Sequence, residues 1–142
     1  DICGSTISSY EFKTYKDIIE GLEKIKYKGD VVFKYHPSNI KFFVDLKNQI
    51  CKNTLKNKED INLKFIHKKN NIEFYASTSN MVISIDYSTS FLNILRMAIP
   101  LIYFNRNFDR HIINSSSKIY DYKKFKMVSQ RSELTNLVEE FL

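Results

Sequence analysis

The sequence predicts an α/β fold built on a parallel sheet with helices on both faces. Three observations carry that expectation. Val31–Tyr35, Ile61–Ile66, Met81–Ile85 and Leu101–Phe104 are short apolar runs of strand length, several rich in β-branched residues. Stretches with apolar residues at helical spacing alternate with them. Finally, Met81–Asn105 reads as strand, hydroxyl-rich turn, helix and strand, a βαβ unit whose crossover requires parallel strands.

In chain order, Ile2-Cys3 reads as the end of a first strand and Gly4–Ser9 as a polar loop. Phe12, Tyr15, Ile18, Ile19, Leu22 and Ile25 mark one face of a helix, which Gly29-Asp30 is expected to end. The strand Val31–Tyr35 runs into His36-Pro37, where proline stops the ladder because it has no N–H. Ile40, Phe43, Leu46 and Ile50 fit a second helix with Ser38 as its N-cap. Cys51–Asp60 reads as loop and helix end, Ile61–Ile66 as a strand, and Ile72–Ser79 as a short helix. Phe91, Ile94, Leu95 and Ala98 recur at helical spacing until Pro100. Lys118–Tyr122 fits a small edge strand. Leu134, Leu137, Val138 and Phe141 form the apolar face of a closing helix, with Ser132 as N-cap.

A chain of 142 residues is expected to be one domain, residues 1–142, and Asp1-Ile2-Cys3 reads like the tail of a strand cut from something longer. No apolar run reaches the ~20 residues that span a bilayer. Cys3 and Cys51 make neither a disulfide framework nor a metal set, so a reducing cytoplasm is the expected setting. The net charge of +6 is spread along the chain except in lysine-rich Lys52–Lys69. That segment reads as a solvated basic face or as a surface for an anionic partner. It lacks an arginine-rich stripe, and specific nucleic-acid binding is not expected. GxGxxG, GxxxxGK[ST] and GxSxG motifs are all absent, which disfavours a dinucleotide oxidoreductase, a P-loop ATPase and an α/β-hydrolase.

Parallel α/β sheets bind ligands beyond the carboxyl ends of their strands. That rule brings the Gly4–Ser9 loop, His36, His67 and the Asp86–Ser90 turn to one expected rim. His36, preceded by Lys34 and fixed by Pro37, suits a phosphate contact or proton transfer to a leaving group; a surface loop histidine is the plainer reading. Ser88, Thr89 and Ser90 suit phosphate oxygens through hydroxyls and backbone N–H groups; otherwise they cap a helix. Asp86 could accept from the same ligand or serve only as a cap. His36, His67 and His111 show no metal-ligand spacing, and no metal is expected.

In order, Lys34-Tyr35-His36-Pro37, Ile83–Ser90 and Ile99-Pro100-Leu101-Ile102-Tyr103-Phe104 resemble the C-terminal donor-binding half of GT-B glycosyltransferases. The nearest likeness is to the CDP-glycerol glycerophosphotransferases of teichoic-acid and capsule synthesis. These carry a Lys-x-His-Pro strand end, an Asp-Tyr-Ser-Ser turn and a Pro-Ile-Ile-Phe-Tyr strand. Bacterial GT-B sialyltransferases hold CMP with a similar His-Pro and Ser-Ser/Thr pair. Here Thr89 stands where the family has its second Ser, and Asn105–His111 lacks the family's Arg-Gly pattern.

The resemblance implies a Rossmann-like domain, one half of a GT-B fold. It implies a cytoplasmic enzyme moving a glycosyl or glycerophosphate unit from a CDP-, CMP- or UDP-type donor to a bacterial surface polymer. His36 is then the catalytic histidine, with Lys34, Asp86, Ser88, Thr89 and Ser90 at the nucleotide phosphates and no cofactor. The polymer acceptor would be met through an N-terminal domain, with peripheral contact to the anionic inner face of the membrane. The alternatives are a sialyltransferase-type CMP-sugar enzyme, a non-catalytic basic module binding an anionic polymer or membrane, and a GT-B-like epimerase acting on UDP-sugars.

Overall fold

The computed structural model describes residues 9–34, 44, 45, 47, 48, 60–66, 71–85, 90–105 and 124–142. The chain divides into two compact units, Asp1–Asn70 and Asn71–Leu142.

In the first unit, α1 (Ser9–Lys24) precedes two strands, β1 (Gly29–Lys34) and β2 (Ile61–Ile66), which pair in parallel from Gly29↔Ile61 to Lys34↔Ile66. Strand alternation puts Val31, Phe33, Leu63 and Phe65 on one face. Phe12, Tyr15 and fully buried Ile19 of α1 pack with Phe33, Leu63 and Phe65. Tyr15 meets Phe33 edge-on at 5.6 Å, and Phe33 stacks on Phe65 at 5.1 Å. Burying a side chain such as Ile19 contributes about 1.5–3 kcal/mol. The other face carries Val32 and Ile66 beside a polar cluster: Asn62 Nδ2 donates to Asp30 Oδ1 at 2.7 Å, and the Lys64 ammonium bonds Asp30 Oδ2.

Helix α1 ends before the expected Gly29-Asp30 stop. Lys26 takes the left-handed conformation (φ 55°), while its N–H bonds the Glu23 carbonyl and that of Tyr27 bonds Leu22. This is a Schellman closure with lysine in the place glycine usually fills. Gly29 instead opens β1, its N–H donating to the Asp60 carbonyl at 3.0 Å. Val44, Asp45, Lys47 and Asn48, within the expected second helix, are helical.

In the second unit the order is α2 (Ile72–Ser77), β3 (Val82–Ser84), α3 (Ser90–Arg96), β4 (Leu101–Phe104), β5 (Phe125–Val128) and α4 (Arg131–Phe141). The sheet runs β3-β4-β5, all parallel, with Val82, Leu101 and Phe125 in register. Leu101 and Phe125 join Ala76, Ile94 and Leu95 in one core cluster, with Val82, Tyr103 and Met127 packed against it. On the opposite face of the sheet Ile102, Phe104 and Val128 are also buried. Both faces of the central strand are therefore covered, as a parallel sheet requires. Helix α4 buries Leu134, Thr135 and Val138.

The strands are parallel as expected, but they are hydrogen-bonded as two sheets, one in each unit, rather than as a single sheet. Hydrophobic periodicity identifies strands without naming their neighbours, so the sequence reading could not choose between these arrangements. It also missed β5. Helix α4 starts earlier than Ser132: the N–H of Leu134 bonds the carbonyl of extended Gln130, which is the N-cap and makes no side-chain cap bond. The expected strands Ile2-Cys3 and Lys118–Tyr122 lie outside the described residues. Among the described residues, no helix is long and apolar enough to cross a membrane.

Candidate functional site

Each unit presents the carboxyl end of a parallel sheet, and the candidate residues attach to those ends. In the first unit β1 closes at half-buried Lys34, paired in register with Ile66. Lys34 alternates onto the same sheet face as Asp30, but at the opposite end of the strand. His36 and Pro37 follow two and three residues later and lie outside the described residues, as does His67 beyond β2.

In the second unit β3 ends at Ser84, and the chain enters α3 at Ser90. Asp86, Ser88 and Thr89 fall between these points and lie outside the described residues. The backbone of Ser90 is the first residue of α3. Helix α3 and β4 complete a strand–helix–strand crossover, since β3 and β4 are parallel neighbours. The connection carrying the three hydroxyls thus departs from the carboxyl end of β3.

Register brings further polar residues to this rim. Ser84, Tyr103 and Met127 align across the three strands. Beyond them, the N–H of Asn105 bonds the Val128 carbonyl at 3.0 Å, which prolongs the ladder by one bond. Asn105 Nδ2 donates to the Tyr103 hydroxyl at 3.1 Å, so the phenol and amide brace one another where β4 stops. Ser129 and exposed Gln130 lead from β5 into α4. Ser129 and Gln130 follow β5, a strand that the hydrophobic pattern alone does not predict. The apolar spacing of Phe125, Met127 and Val128 was the available signal.

Among the described residues this rim offers neutral hydroxyls and amides, which suit recognition of polar or anionic groups better than proton transfer. Among the described residues, no group of three or more His, Cys, Asp or Glu could hold a metal ion. Among the described residues, Asp30 is the carboxyl held clearly away from its ordinary value. The Lys64 bond, and next the Asn62 bond, hold Asp30 below its ordinary value. Asp30 is the second residue of β1, toward the amino end of its sheet, so this cluster ties the two strands together at the end remote from the rim.

The Ser-Thr-Ser sequence occurs twice, at 77–79 and 88–90. The first copy is committed to its own helix. Ser77 Oγ donates to the Phe74 carbonyl at 2.8 Å, Thr78 Oγ1 to the Tyr75 carbonyl at 3.1 Å, and Ser79 Oγ to the same Tyr75 carbonyl at 2.7 Å. These hydroxyls serve the carbonyls a helix leaves open at its carboxyl end. The second copy lies instead on the amino side of α3, where backbone N–H groups are the open ones. No family model matches the chain, and no curated protein or solved structure is significantly similar to it.

Proposed function

We propose that the chain is the donor-binding part of a GT-B transferase that builds a bacterial surface polymer such as a teichoic acid or capsule. In this reading the Ser88, Thr89 and Ser90 hydroxyls and N–H groups hold the donor phosphates together with Asp86, and Lys34 is a further phosphate contact. His36 stabilises the departing nucleotide phosphate through a charge-assisted hydrogen bond, typically ~1.5–3 kcal/mol. The acceptor and its general base come from a partner domain outside this chain. Alone, the chain binds donor and turns over poorly. It works in the cytoplasm, in peripheral contact with the anionic inner face of the membrane.

One observation carries the reading: the parallel β3–α3–β4 crossover, with its hydroxyl-rich connection leaving the carboxyl end of β3. The end of β1 at Lys34, two residues before His36, supports it independently. The test is calorimetric titration with CDP-glycerol, CMP-sialic acid, UDP-GlcNAc and free CMP. Binding of at least one nucleotide, with preference for a cytidine diphosphate donor, is expected. Absence of binding across the panel overturns the proposal, and preference for CMP-sialic acid moves it to the sialyltransferase type.

A further inference from the structure

We draw no further inference here: the strongest candidate, the N-terminus of α4 at the carboxyl end of β5 beside Asn105, is a helix end with no second observation that points to a ligand.

Discussion

The phenol oxygen of Tyr27 stands 2.8 Å from the point where a Cβ on Gly29 would sit. The same hydroxyl donates to the Asp30 carbonyl at 3.2 Å, so the ring lies over the glycine. Gly29 also has φ +149°, a conformation side chains rarely adopt. Gly29→Ala should therefore destabilise the protein by roughly 1–3 kcal/mol. Denaturant midpoints measure it, and Tyr27→Ala in the same chain should recover the steric part alone. An unchanged Gly29→Ala midpoint would contradict the geometry.

Two other positions ask for the opposite substitution. Lys26 and Ala98 have φ of 55° and 56° and close α1 and α3. A side chain in the left-handed region costs about 1–2 kcal/mol, partly offset because glycine loosens the unfolded chain. Lys26→Gly and Ala98→Gly are each expected to stabilise by about 0.5–1 kcal/mol in thermal or denaturant unfolding. Destabilisation by either would mean the positive φ is not what limits that turn.

The repeated Ser-Thr-Ser sequence supplies an internal control for the proposed site. Ser77→Ala with Ser79→Ala removes hydroxyl–carbonyl bonds at the end of α2 and should cost about 1–3 kcal/mol of stability with nucleotide affinity unchanged. Ser88→Ala with Thr89→Val should weaken nucleotide binding by about 1–3 kcal/mol, roughly five- to a hundred-fold, with a smaller loss of stability. His36→Ala should weaken binding to a similar degree with little change in melting temperature. Equal affinities for wild type, His36→Ala and the 88/89 variant would end the phosphate assignment.

Acid should loosen the pairing of β1 with β2. Lys64, and next Asn62, hold Asp30 below the ordinary aspartate value. Its folded value is thus lower than its unfolded one, and its contribution is fully present above about pH 4. That contribution is lost as pH falls through the lowered value. The group is exposed, so the effect is small and screened by salt. Asp30→Asn should show a shallower stability loss below about pH 4 than wild type, with the difference fading in high salt. Parallel pH profiles would remove the ion pair as the cause.

Ile61–Ile66 and Leu101–Phe104 were legible to the residue because β-branched and aromatic residues are bounded by charge or proline. Helix ends were less legible. Lys26 and Ala98 take left-handed turns where sequence rules look for glycine, and Gln130 caps α4 where Ser132 has the more typical side chain. All three residues are exposed, so the backbone course of the chain, not burial of these side chains, places the helix ends. Strand β5 was missed because four residues containing a lysine give too little periodicity to stand out. Of the candidate site, the sequence gives the order of Lys34, His36, Ser88, Thr89 and Ser90 along the chain. That they follow the carboxyl ends of parallel strands was also legible from the βαβ pattern; what the register adds is which strands pair, β1 with β2 and β3 with β4.

Strand β4 is bonded to a parallel neighbour on each side, and Leu101, Ile102 and Phe104 are fully buried. Amides so placed exchange with deuterium only when their sheet opens as a whole. Within the second unit, the N–H groups of β4 should therefore be the last to acquire label, setting the ceiling of its opening free energy. The segment on the amino side of Ser90 can be timed against that ceiling. A ligand that slows exchange before Ser90 while leaving β4 at its ceiling has fastened the connection without stiffening the sheet beneath it.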